Sequence, residues 1–191
     1  MKEEIKELTS LEDFKIVYGV FSGPPYNEKY TEEELEEIFM EYQAKGYIYG
    51  AYRNGQCIGL IALERGVKTD QPVSFQDENV MYLADVAVLD EYRRKGVGNQ
   101  LMWYGVMKSK ALGYERMYMR TLENGSMSYG IALRVGFKQI PGSFQSVEKE
   151  RMDGRVDSMQ NIFLDIDLKS LNRSDLQNGI KLVSPEKSIE R

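Results

Sequence analysis

The chain contains no histidine and a single cysteine, Cys57. One cysteine cannot form an intrachain disulfide, and a zinc site built from cysteine and histidine has no ligand set. Nucleophilic machinery that pairs serine or cysteine with histidine is excluded for the same reason. No metal site is expected. Cys57 stands in the apolar run Cys57-Ile58-Gly59-Leu60-Ile61-Ala62-Leu63, where a cysteine serves as a small buried hydrophobe. Long hydrophobic runs are also missing: nothing approaches the roughly 18 apolar residues that span a bilayer. Met1 to Glu7 mixes acids with bases and no apolar segment follows, so neither a secretory leader nor a membrane partner is expected, and a cytoplasmic location is. Bases are outnumbered 25 to 30, for a net charge of −5. Nucleic-acid binding wants a basic footprint, so a nucleic-acid partner is not expected, whereas a cationic acceptor is compatible.

What is present fits one folded unit. At 191 residues, 42% hydrophobic and 29% charged, the chain has the size and balance of a single globular domain. Strand-like and helix-like segments alternate, which predicts an α/β domain with a sheet of about six to seven strands. After a strand near Ile5, Ser10 and Asp13 form a Ser-x-x-Asp capping pattern for a helix through Phe14, Val17 and Tyr18, ended by Gly23-Pro24-Pro25. Thr31 and Glu34 cap a second helix, whose Leu35, Ile38, Phe39 and Tyr42 share one face, ending near Gly46. Asn54-Gly55 between Tyr47–Arg53 and Gln56–Leu63 is a hairpin signal. Val80 to Leu89 is apolar except for Asp85, as in a strand covered on both faces. Gly96 to Leu112 reads as a helix with Val97, Leu101, Met102, Gly105, Val106 and Leu112 inward. Arg116–Leu122 is a strand, Ser128 to Val135 a short helix, and strands near Phe137–Ile140 and Gln160–Leu168 close the domain at about residue 168, the last preceded by the hairpin signal Asp153-Gly154. Residues 169–191 form a polar extension.

The chemistry-bearing segment is Asp85 to Leu101. A buried strand runs into a turn that holds Arg93, Arg94, Lys95, Gly96 and Gly98, and a helix begins at once. Free N–H groups and the positive dipole end of that helix attract an anion, and glycine lets a phosphate approach the backbone. This is a pyrophosphate cradle. The dinucleotide fingerprint fails because its third glycine position is Leu101, and a P-loop fails for want of Gly-Lys-Ser/Thr. Asp85 is the lone charge in its run, and a buried carboxylate is costly unless paired or useful. It is either a general base, acting on an ammonium through a water, or a carboxylate that caps a neighbouring loop or helix.

Arg93-x-x-Gly96-x-Gly98, with the later Gly136-Phe137, resembles the Arg/Gln-x-x-Gly-x-Gly/Ala signature of the GNAT superfamily of acyl-CoA-dependent N-acetyltransferases. The resemblance implies a mixed sheet flanked by helices, in which the strands at Val80–Leu89 and Arg116–Leu122 run parallel and splay. It implies that backbone N–H groups across Arg94, Lys95, Gly96, Val97, Gly98 and Asn99 hold the pyrophosphate of acetyl-CoA. The strand backbone at Val86, Ala87 and Val88 would pair with the pantetheine arm, and one of its N–H groups would polarise the thioester carbonyl. Asn124 stands where the family touches pantetheine. Many relatives place a tyrosine four residues before the glycine of Gly136, but here the position is Ala132. A branch acting on protein N-termini uses a serine one turn earlier, which matches Ser128, with Tyr129 beside it. These two are the candidate acids for the departing thiolate, against a helix-capping serine and a core tyrosine.

In the same family the segment joining the first two helices covers the amine site. Here it carries Phe21, Tyr26, Glu28 and Tyr30. The implied partner is a small-molecule or peptide amine, and a homodimer is allowed. Two other readings remain at this stage: a catalytically silent acyl-CoA-binding module, and a structural dimerising protein.

Overall fold

The computed structural model describes residues 3–23, 26–75, 79–122, 127–151, 154–172 and 174–175. Among the described residues, seven strands, β1 (Glu4–Glu7), β2 (Gly46–Arg53), β3 (Gln56–Arg65), β4 (Val80–Val88), β5 (Arg116–Leu122), β6 (Lys138–Glu150) and β7 (Val156–Asp167), join four helices, α1 (Leu11–Tyr18), α2 (Glu32–Lys45), α3 (Val97–Ala111) and α4 (Met127–Val135). Both predicted caps form. Ser10 Oγ accepts from Asp13 N at 3.1 Å, and Thr31 with Glu34 closes a full capping box. Asn54 and Gly55 both take positive φ, 51° and 82°, the backbone of a type I′ hairpin turn.

The strands make one mixed sheet in the order β1-β2-β3-β4-β5-β7-β6. Among the described residues its single parallel pair is β4 with β5, and that pairing runs from Val80 opposite Arg116 to Leu83 opposite Met119. Beyond Leu83 the two strands part, as the resemblance implied. β4 stays paired with β3, but Ala62 faces Asp85 while Leu63 faces Leu83, so Ala84 is an extra residue. That bulge shifts the in-out alternation by one. Val86 and Val88 then face α3, whereas Asp85 and Ala87 turn to the other side.

Apolar side chains cover both faces of the sheet. On one side α3 and α4 bury Leu101, Val106, Ala132 and Val135 against Ile61, Met81, Leu83 and Met117. On the other, α1 and α2 bury Phe14, Val17, Leu35 and Phe39 against Leu60, Ala62 and Ala87. Burying each such large side chain contributes about 1.5–3 kcal/mol.

The structure corrects several expectations. β4 is not covered along its whole length, because Ala84, Asp85 and Val86 are only half-buried where β5 departs. Leu112 lies past the end of α3 and is 41% exposed rather than inward. α1 ends at Tyr18, and a 3-10 turn over Gly19–Ser22 replaces its last expected turn. The closing strands are far longer than their apolar segments. β6 continues past Pro141-Gly142 because a register shift between Gln139 and Phe144 absorbs the proline on an edge strand. Phe144 and Val156 on this outer ribbon are 43% and 60% exposed, so no buried face marked it in the sequence.

Candidate active site

The turn that the sequence marks as a candidate phosphate cradle begins where β4 ends. Asp90–Tyr92 makes one 3-10 turn, after which Arg94 and Gly96 adopt φ of 60° and 89°. Gly96 takes the left-handed backbone without steric cost; at Arg94 it is a strained conformation of the kind that collects at functional sites. Gly96 is also the N-cap of α3 and brings no side chain to cap it, so the first N–H groups of the helix keep their donors for a ligand. Arg93 braces the turn: its Nε donates to the Val88 carbonyl at 3.2 Å and its guanidinium pairs with Asp90 at 2.9 Å.

A cleft runs along this turn, lined by Val86, Ala87, Val88, Arg93, Arg94, Gly98, Met102, Ser128 and Ile131 and roofed by Val20, Phe21 and Tyr26. It follows the stretch of β4 that β5 leaves unpaired. Lys95, Gly96, Val97 and Asn99 are not among its lining residues: Lys95 is exposed with its ammonium 5.6 Å from the Tyr92 ring centre, and Val97 is in the core. Asn124 lies outside the described residues.

A second cleft, about 290 Å³, opens beside the first and is lined by Tyr18, Phe21, Tyr26, Glu28, Tyr30, Asp85, Val86, Arg120, Thr121, Ser128, Arg151 and Asn161. Its size is close to the lower end of small-ligand pockets, about 300–1,000 Å³. All four acceptor candidates line it, together with Asp85 and Ser128. Phe21, Tyr26, Val86 and Ser128 border both clefts, so these residues mark their junction. The covering loop is held from within and from above: Glu28 N donates to Phe21 O at 2.9 Å, the Tyr30 hydroxyl donates to the Glu28 carboxylate, and the Arg151 guanidinium donates to the Tyr26 carbonyl.

The bulge at Ala84 delivers Asp85 to the α1–α2 side, where the Tyr18 hydroxyl donates to its Oδ2 at 2.8 Å and the Tyr42 hydroxyl donates to the same oxygen. Burial, with the Asp85 charge beside them, pushes both phenols well above the usual tyrosine range, so they stay donors at any working pH. This fixes the sign of a pH effect. Unfolded tyrosine ionises near pH 10; above that the unfolded chain binds fewer protons than the native one, so stability falls with rising pH. Urea midpoints are expected to hold level to about pH 9 and then drop, each such tyrosine costing about 1.4 kcal/mol per pH unit. A Tyr18→Phe/Tyr42→Phe double variant should lose two protons' worth of that slope, and an unaltered slope would contradict the assignment.

Ser128 Oγ lies 2.9 Å from Thr121 Oγ1, joining α4 to the end of β5. Tyr129, next to it, packs against the main core cluster and lines neither cleft. Five polar residues that line the second cleft escaped the sequence analysis as site residues: Tyr18 from α1, Arg120 and Thr121 from β5, Arg151 from the turn after β6, and Asn161 from β7. Arg120 alone had a readable signal, as the one charge within Met117-Tyr118-Met119-Arg120-Thr121-Leu122. Among the described residues there is no cluster of three or more metal-ligating side chains, and no helix is long and apolar enough to cross a membrane.

The profile of the Acetyltransferase (GNAT) family matches residues 11–137. Curated protein sequences give no match. Among solved structures, the chain superposes on an N-acetyltransferase from Staphylococcus aureus Mu50 with TM-score 0.66 at 17% identity, over 88% of this chain and 99% of that one. The ribosomal-protein-S18-alanine N-acetyltransferase of Escherichia coli gives 0.65 at 13% identity, over 90% and 97%. A phosphinothricin acetyltransferase from Sinorhizobium meliloti, solved with acetyl-CoA, gives 0.66 at 16%, over 87% and 89%. At these identities the likeness establishes a shared fold.

Proposed function

The chain belongs to the acetyltransferase (GNAT) family and is an acyl-CoA-dependent acetyltransferase, and on that premise we propose that it transfers acetyl from acetyl-CoA to the primary amine of a small molecule or peptide by direct attack. The observation that carries this reading is the meeting of two clefts at Val86 and Ser128, with the unpaired edge of β4 on one side and Asp85 on the other. Residues 1–168 form the catalytic unit and 169–191 an extension to it.

Acetyl-CoA supplies an activated thioester, whose carbonyl carbon gains the amine nitrogen and whose carbon–sulfur bond breaks. Arg94 and the first N–H groups of α3, including that of Gly98, hold the pyrophosphate. The backbone of Val86, Ala87 and Val88 holds the pantetheine arm, and an N–H there stabilises charge on the carbonyl oxygen. Phe21, Tyr26, Glu28 and Tyr30 enclose the acceptor. An incoming ammonium has a pKa near 10.4, so a proton must leave nitrogen before attack; Asp85 accepts it through a water while Tyr18 and Tyr42 fix the carboxylate. Ser128 gives a proton to the departing sulfur, with the Thr121 hydroxyl beside it to replace that proton.

The reading is tested by thiol release from acetyl-CoA with a panel of amines and by the mass of the acetylated product. Release without an acetylated amine would mean hydrolysis and overturn it. Ser128→Ala is expected to lower kcat about tenfold to a hundredfold, since a thiolate with pKa near 8.5 needs only modest help. Tyr129→Phe should do less, because its ring packs against the core cluster and lines neither cleft. Parental turnover in both variants would show that solvent or the acceptor protonates the sulfur.

A further inference from the structure

Two cations line the acceptor cleft, and they differ in what they already hold. Arg151 is 8% exposed and committed: its Nε donates to Asp157 at 2.9 Å, its other nitrogens to the Tyr26 carbonyl and the Met159 sulfur. Arg120 is half-buried, and among the described residues its one hydrogen bond is to the Gln145 amide oxygen at 3.4 Å. Among the described residues no carboxylate lies in ion-pair range of it. A guanidinium offers five donors in a planar fork suited to a carboxylate, and one long bond to an amide uses little of that capacity.

The backbone brings Arg120 and Asp85 to the two sides of the splay between β4 and β5, and both line the same cleft. Leu83 is level with Met119, so Ala84 and Asp85 stand across the splay from Arg120 and Thr121. Alternation along β5 puts Arg120 on the face of Tyr118, whose cluster with Tyr82 and Phe163 is packed by Ala84. Ala84 also packs the α1–α2 cluster, the side to which the bulge turns Asp85. One cleft therefore presents a carboxylate and an uncommitted guanidinium on the same face of two adjacent strands. Adjacent strands lie about 4.8 Å apart before they splay, which sets the scale for two charges a few bonds apart on one small molecule.

Resting on the acetyl-transfer reading, we infer that the acceptor is an amino-acid-like zwitterion: its ammonium faces Asp85 and its carboxylate is held by Arg120. Arg120 sets specificity by rewarding an anion next to the amine and leaving a half-buried charge unmatched when that anion is missing.

The test uses the full chain with acetyl-CoA and three matched sets of probes: free L-amino acids, their carboxamides and the corresponding decarboxylated amines. kcat/KM for the free acid is expected to exceed that of its amide and amine about tenfold to a hundredfold. Arg120→Gln should lower kcat/KM for the acid by about that factor more than for the amide, chiefly through KM. Arg120→Lys, which keeps charge but not the fork, should fall between, and it serves as the readout if the glutamine variant does not fold. Acetyl-CoA affinity, measured separately, reports on folding. Equal use of acid and amide by the parent, or an unchanged preference in both Arg120 variants, would overturn the inference while leaving acetyl transfer intact. No acetylated product from any of the three sets would overturn the inference as well, and it would remove the transfer reading itself if the wider amine panel also fails.

Discussion

Asp85→Asn is expected to lower turnover about a hundredfold to ten-thousandfold while acetyl-CoA affinity stays at the parental level. The substitution is close to isosteric, and the asparagine oxygen can accept from the Tyr18 and Tyr42 hydroxyls that now donate to Asp85. The fold therefore has little reason to yield, and what is removed is the group able to take a proton. The loss should be largest near neutral pH, where an ammonium acceptor is almost wholly protonated, and should shrink as pH rises towards 10 and free amine becomes available. A purely structural Asp85 predicts another pattern: reduced stability, a pH-independent defect and little change in turnover once the protein is folded. Steady-state kinetics from pH 7 to 9.5, with urea midpoints for both proteins, separates the two. Equal turnover at neutral pH in a stable variant would remove Asp85 as the base.

The sequence made Asp85 conspicuous but left its surroundings hidden. Periodicity placed Tyr18 and Tyr42 on the buried faces of their helices, and both are buried. Nothing in a helical repeat tells a tyrosine that only packs from one whose hydroxyl ends on a carboxylate 67 or 43 positions away. The bulge at Ala84 was equally silent, because one extra residue in an apolar strand changes no local pattern. It nevertheless decides which face Asp85 joins. The strand, turn and helix of the proposed cradle were legible because their signal is local: two glycines and three cations between an apolar strand and a helical pattern. Turns are specified by neighbouring residues, whereas clefts are assembled from strands far apart in the chain. Arg120 and Arg151 reach the second cleft through such long-range pairing, one from β5 and the other from the turn between β6 and β7. The outer ribbon was read too short for a related reason: its exposed face carries polar and apolar residues alike, so the hydrophobic pattern stopped where the core stopped.

Gly98→Asp is expected to weaken acetyl-CoA binding by a hundredfold or more while leaving a folded protein. Gly98 lies in the first turn of α3 and lines the first cleft with Arg93 and Arg94. A Cβ there would sit 3.3 Å from the Ile131 Cδ1 and 3.8 Å from the Val88 Cγ2. Both are ends of side chains, and a shift of a few tenths of an ångström accommodates the first. Bulk alone is therefore a modest disturbance, and Gly98→Ala should cost only a small part of the effect. Charge is the larger part: a carboxylate about 5 Å from each pyrophosphate charge, at an effective dielectric near 20, meets a repulsion of about 3 kcal/mol per charge. Screening and side-chain rotation reduce this, but about 2.7 kcal/mol already corresponds to a hundredfold. The added acid also reverses the sign that the helix end favours. Calorimetric titration of acetyl-CoA into the parent, Gly98→Ala and Gly98→Asp resolves the two contributions, and the aspartate penalty should shrink with added salt. Undiminished affinity in a folded Gly98→Asp protein would place the pyrophosphate elsewhere and end the assignment of the cradle.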